Sequence, residues 1–296
     1  MTKLFLVFIL MVNYAFAGPR EEAQKYLDRG ANVSGVVNRL ETFSKMFAGL
    51  PYGNGGPLGE GPDGRYDQDP LYRFDTFDCT TYVETIVSLA LSREAGEFEL
   101  AMNNIRYENG EVDYLKRSHF TDLWWIPRNI QNGLLTDITK SIGGNQVLTA
   151  RADINLPGWL KKIHPEEIRV PGASPEERNA LLEELRSMHR FYTIEVAEVP
   201  YVSINWILKN PSWLKKIPHG SIVNFVRPNW DLTQEYGSHQ NISHQAFLFW
   251  RGNVLYQRHA SASNPSEVFE VPFIDYIKKF ENHATLKGVH FMRVNE

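Results

Sequence analysis

Apolar residues recur at helical spacing in three stretches of the first third of the chain. Val33, Val36, Val37, Leu40, Phe43, Met46 and Phe47 make one stripe, ended by Gly49 and Pro51. Tyr82, Val83, Ile86, Val87, Leu89 and Ala90 make a second, and Asp75 and Asp78 ahead of it offer N-cap side chains. Residues 98–105 read as a further helix. Between the first two stripes lies a loop rich in glycine, proline and aspartate, from Leu50 to about Arg73. Strand patterns dominate afterwards. Residues 146–154, 191–199 and 221–226 read as strands, and Ser174-Pro175-Glu176-Glu177 opens a helix to about Met188 with a capping box. Residues 242–250, the turn Arg251-Gly252-Asn253 and residues 254–259 form a hairpin. The string Pro157-Gly158-Trp159-Leu160-Lys161-Lys162-Ile163 is echoed by Pro211-Ser212-Trp213-Leu214-Lys215-Lys216-Ile217, but the flanks differ, so no internal repeat is read.

Composition narrows the class. With 296 residues and 43% hydrophobic content the chain can build a substantial core, and a net charge of −4 argues against nucleic acid or an anionic membrane as the main partner. Lys3, an apolar run over residues 4–12 and Ala15-Phe16-Ala17 read as a secretory signal. The expected mature protein starts near Gly18, exported to the periplasm and monomeric. The apolar run is too short for a membrane span.

Cys79 is the only cysteine, so no internal disulfide can form. It sits in the first turn of the second helix, where free N–H groups and the helix dipole favour thiolate. That position suits a nucleophile. The competing reading is a small buried apolar residue, since Cys79 is in phase with the apolar face. The hairpin brings two histidines together. With Arg251-Gly252 as its loop, His244 lies opposite His259; with Gly252-Asn253, His259 faces Ala246 and is diagonal to His244. Either register puts both imidazoles on one face, as base and orienting partner or as a structural pair. Arg117, His119, Trp124, Trp125, Arg128 and Asn129 mix aromatics with hydrogen-bonding groups, as sugar sites do, although each tryptophan could equally be core. Two other classes find less support in the residues. A zinc hydrolase on His239, His244 and His259 lacks a ligand framework. A non-catalytic glycan-binding module would rest on Trp124 and Trp125 alone.

Pro51-Tyr52 with Gly55-Gly56, then Phe77-Asp78-Cys79-Thr80-Thr81-Tyr82-Val83-Glu84, then Ser243-His244 and finally His259-Ala260-Ser261 resemble the NlpC-type papain-like cell-wall hydrolases. The Phe-Asp-Cys-Thr-Thr-Tyr-Val-Glu string with a long central insertion resembles one branch of them, formerly a domain of unknown function and regarded as N-acetylmuramoyl-L-alanine amidase. The resemblance covers residues from about 50 to the C-terminus. It implies an α+β papain-like fold, a nucleophile helix on an antiparallel sheet, and a single domain over residues 18–296 with an insertion at about 98–220. It implies Cys79 as nucleophile, His244 as base, His259 as orienting residue and Tyr52 at the oxyanion, with no metal or cofactor. Gln257 shares the strand parity of His259 and is its rival. The expected substrate is a muropeptide, hydrolysed at the amide between N-acetylmuramic acid (anhydro form) and L-alanine. The alternative is a peptidase cutting within the stem peptide, between D-Glu and the diamino acid.

Overall fold

The computed structural model describes residues 18–53 and 58–296. The signal-peptide expectation for residues 1–17 and the Gly55-Gly56 part of the motif lie outside the described residues. Among the described residues four helices come first: α1 (Pro19–Arg29), α2 (Val36–Met46), α3 (Cys79–Leu91) and α4 (Ala95–Arg106). Then follow α5 (Ile126–Gln131), β1 (Leu135–Asp137), α6 (Thr139–Gly143), β2 (Val147–Asn155), α7 (Leu156–Lys162), α8 (Pro175–Ser187), β3 (Ile194–Ser203) and α9 (Ile204–Lys209). The chain closes with β4 (Ser221–Leu232), β5 (Ser238–Arg251), β6 (Val254–Ala260), β7 (Val268–Pro272), α10 (Phe273–Lys278) and β8 (Gly288–Val294). No helix among the described residues is long and apolar enough to cross a membrane.

The fold is mixed α+β around one antiparallel sheet. The strand order is β2-β3-β8-β4-β5-β6-β7, with β1 paired to β8. Alternation along β5 sorts the core into two layers. Phe247 and Phe249 face α2 and α3, among Leu40, Phe43, Tyr82 and Ile86. Ala246 and Leu248 face the other way, toward Phe225 and the α10 residues Phe273 and Ile277. A third cluster, around Trp159, Leu160, Leu182 and Leu185, fills the space between α7, α8 and the β2–β3 ribbon. The start of β5 folds back on that ribbon: Asn155 N–H donates to Ser238 Oγ at 2.8 Å and Asn241 Nδ2 to Ala197 O at 3.1 Å.

Both ends of α3 are fastened by side chains. At the N-terminus Asp78 accepts from Thr81 N–H at 2.7 Å, and Thr81 Oγ1 accepts from Asp78 N–H at 3.0 Å. This reciprocal box satisfies donors a helix start leaves open. At the C-terminus the buried Arg39 guanidinium donates to Leu89 O and Ala90 O, each at 2.8 Å. The sequence suggests an amphipathic α3, but every residue from Thr81 to Ala90 is buried. The polar side is covered by α4 and Trp125: Glu84 takes hydrogen bonds from Arg106 Nε at 2.8 Å and Trp125 Nε1 at 3.1 Å. The heptapeptide echo has a simple physical form. Each copy makes a proline-started helical turn that buries its Trp, Leu and Ile and leaves both lysines in solvent.

Candidate active site

The hairpin settles on Gly252-Asn253 as its loop, since Arg251 pairs with Val254 and Phe247 with Arg258. His259 therefore lies one step diagonal to His244, and the rings meet: His244 Nε2 is 2.6 Å from His259 Nδ1. A bulge makes this possible. Phe225 pairs with His244 but Val226 with Ile242, leaving Ser243 as the extra residue. Without it, His244 would share the face of Ile242, on the α3 side; with it, His244 turns to the face of Ala246 and Leu248. His259 is fully buried, its ring between Phe269 and Tyr276 at centroid distances of 4.6 and 5.1 Å. Gln257, the rival third residue, is also buried, with Nε2 3.3 Å from His259 Nδ1. It touches the third ring rather than His244.

Cys79 is half-buried at the first position of α3. The β5–β6 ladder ends at Phe247 and Arg258, and beyond it the Gln245 N–H turns to the Cys79 thiol. The thiol thus sits beside the peptide that follows His244. Burial, reinforced by the Asp78 carboxylate, pushes it up to about 12, against the pull of the Gln245 N–H and the Thr80 hydroxyl. The helix-end bias toward thiolate expected from sequence is outweighed. Burial also pushes His244 down to about 4, and burial with the neighbouring His244 and Lys279 charges pushes His259 down to about 2. Thiol and both imidazoles are neutral at pH 7. Tyr52 is tied to the same turn by Gly53 N–H to Phe77 O at 3.0 Å, and burial, then Cys79 and Asp78, hold its phenol protonated. Tyr276 is pushed up to about 12, by burial first, with Gln257 pulling down and the nearby Cys79 adding to the rise. No sequence pattern singled out Tyr276 or Gln245; their roles depend on long-range packing.

A cavity of about 720 Å³ runs up to Ser243, the residue before His244. Of the six residues expected to form a sugar site, Arg117 and His119 line it and the other four do not. Trp125 and Asn129 are 0% exposed, Trp125 bound to Glu84 and Asn129 Nδ2 to Ile105 O and Trp125 O, so both are corrected to core. Trp124 packs edge-on against Phe120 and Trp159, with the Arg128 guanidinium over its ring at 5.1 Å. Arg128 is held there by Lys116 O, Ser118 Oγ and Glu108. The cavity's aromatic surface comes instead from Tyr114, Trp159, Trp230 and Tyr236. Arg117 is anchored behind by Glu60 at 2.6 Å and Asp67 at 3.7 Å. Burial pushes Glu60 up to about 7 despite that partner. His119 is pushed down to about 3 by burial and then by the Arg117 charge. At the rim, Gly158 and Gly237 touch: a β-carbon on Gly158 would lie 2.3 Å from Gly237 O, so glycine is needed for α7 to meet the start of β5.

Comparison with solved structures returns the same architecture. A Legionella pneumophila protein of the family DUF1460 is 35% identical, with 94% of each chain covered and a TM-score of 0.89. An N-acetylmuramoyl-L-alanine amidase from Bacteroides uniformis is 20% identical over 88% of this chain and 99% of its own, with a TM-score of 0.63. A putative xylanase from Bacteroides fragilis is 22% identical over 85% and 99%, with a TM-score of 0.59. At such identities the last two show likeness of fold alone. No curated protein matches. The model of the family AmiA-like, N-acetylmuramoyl-L-alanine amidase-like, matches residues 42–285, and the chain belongs to that family.

Proposed function

We propose that this protein is an exported, papain-like cysteine amidase. It cleaves the amide between muramic acid, in the anhydro form, and L-alanine in peptidoglycan fragments. The observation that carries the reading is the 2.6 Å contact of His244 Nε2 with His259 Nδ1 beside the thiol at the start of α3. With His244 donating from Nε2 and His259 accepting, His244 keeps a lone pair on Nδ1 for the thiol proton. Cys79 Sγ attacks the amide carbonyl as that proton moves to Nδ1. The imidazolium then gives it to the leaving L-alanine nitrogen, the C–N bond breaks, and a muramoyl thioester remains. Water, deprotonated by the same nitrogen, hydrolyses the thioester and restores the thiol. The Cys79 N–H and the Tyr52 hydroxyl stabilise the oxyanion.

The muramoyl sugar occupies the cavity of about 720 Å³, with Trp159 and Trp230 offering apolar ring surface and Arg117 and Ser243 polar groups. Helices α1 and α2 pack on the same core as α3, which supports reading residues 18–296 as one domain with residues 98–220 as its insertion. Alkylation of Cys79, and Cys79→Ser, should each remove turnover of a disaccharide-peptide by about a thousandfold or more, without loss of near-ultraviolet circular dichroism. Activity of Cys79→Ser within about tenfold of wild type would refute the nucleophile.

A further inference from the structure

Four polar side chains form a row across the sheet on the face that carries α3. Gln245 Nε2 donates to Asn224 Oδ1 at 2.9 Å. Asn224 Nδ2 donates to His290 Nδ1 at 2.9 Å, and His290 Nε2 lies 3.3 Å from Asp137 Oδ1. The residues come from β5, β4, β8 and β1 in turn, and Asn224 is the ladder partner of both Gln245 and His290. Gln245, Asn224 and His290 are 0–1% exposed, amid the apolar Ile222, Val226, Phe247 and Met292 of the same face. An apolar row would suit these surroundings with less desolvation, so packing alone does not account for the polar one.

The row has a direction. Burial would raise Asp137, but the His290 and Thr139 contacts hold it below the usual carboxylate range, an acceptor only. Its Oδ1 faces His290 Nε2 at 3.3 Å and favours the proton on that nitrogen, so His290 Nδ1 accepts; Asn224 then turns its NH2 to His290 and its carbonyl to Gln245. Each amide is oriented by the one before it. The last member, Gln245, is the residue whose main-chain N–H meets the Cys79 thiol, where the β5–β6 ladder has already ended.

We propose that Asp137, His290 and Asn224 are positioning residues: they anchor Gln245 so that its N–H holds the Cys79 sulfur in line with His244. This role rests on the amidase reading above. Asp137 acts over three strand spacings, roughly 14 Å. The test uses the mature protein with Asn224→Leu, Asp137→Leu and Asp137→Asn. Turnover of a disaccharide-tetrapeptide and the rate of Cys79 alkylation by iodoacetamide are measured, with folding followed by near-ultraviolet circular dichroism. Asn224→Leu and Asp137→Leu should lower kcat by about tenfold or more with KM within about twofold, and change the alkylation rate by about threefold or more. Asp137→Asn, whose carbonyl can still accept from His290, should lose about threefold at most. If Asn224→Leu does not fold, the Asp137 pair decides, since that side chain is 25% exposed. Folded leucine variants with wild-type kcat and alkylation, or equal losses in Asp137→Leu and Asp137→Asn, would overturn the proposal. Alkylation needs no substrate, so absence of wild-type turnover would count against the amidase reading while the alkylation rates still judge the row.

Discussion

His259 is held neutral in an apolar nest, and that neutrality decides what His244 can do. A charged His259 would repel the imidazolium that His244 must become; a neutral one accepts its Nε2–H. His259→Ala should therefore lower kcat less than His244→Ala but more than Gln257→Ala, because Gln257 touches only the outer ring. Steady-state kinetics of the three variants check this, and a larger loss for Gln257→Ala would exchange the two roles. The proton inventory also sets the pH profile. His244 must be unprotonated to act as base, so kcat/KM should fall as the pH drops through about 4 and hold steady through neutrality toward the thiol's value of about 12. A thiolate–imidazolium resting pair would instead produce an alkaline limb near the ordinary thiol range. At this scale the place of Cys79 at the start of a capped helix and the pairing of the two histidines were legible in the sequence because their determinants are local: a capping aspartate, a first helical turn and a two-residue hairpin loop. The lining of the cavity was not. Trp125 and Asn129 carry the same chemistry whether a ligand or a glutamate meets them, and only their burial under α4 and beside α3 assigns them to the core.

Helix α3 ties Cys79 to the fold through Asp78, which has two opposed effects. Its side chain caps the helix, and its charge makes the thiol harder to ionise. Substitution can separate them. Asp78→Ala removes the cap and should destabilise the protein by about 1 kcal/mol. Asp78→Asn keeps an acceptor for the Thr81 N–H while removing the charge, so the thiol should become more acidic and alkylate faster at pH 8 with little change in stability. Equal melting temperatures for the alanine and asparagine variants, or an unchanged alkylation rate in Asp78→Asn, would contradict this. The amphipathic stripe identified the helix but not its surroundings, because a buried Glu84–Arg106 pair leaves the same sequence trace as an exposed polar face. The Ser243 bulge was likewise invisible: one extra residue changes no local propensity, yet it decides which face His244 takes.

Across the whole molecule, the strands that form the site arrive from distant parts of the chain, and β8, at the C-terminus, lies between β3 and β4. That order rests on pairings between strands far apart in the chain and could not be read from strand patterns. The cavity, lined by residues from Tyr114 to Arg169 and by β4 and β5, reaches Ser243 beside His244, and on the proposed function the helix and hairpin supply the chemistry and this lining the choice of substrate. The most direct measurement is incubation with a defined anhydro-disaccharide-tetrapeptide and with the matching sugar-free tetrapeptide, read by mass spectrometry. The account predicts free disaccharide and a tetrapeptide with an L-alanine N-terminus from the first, and no product from the second. Release of L-alanyl-glutamate from either substrate would contradict it and make the protein a stem-peptide peptidase.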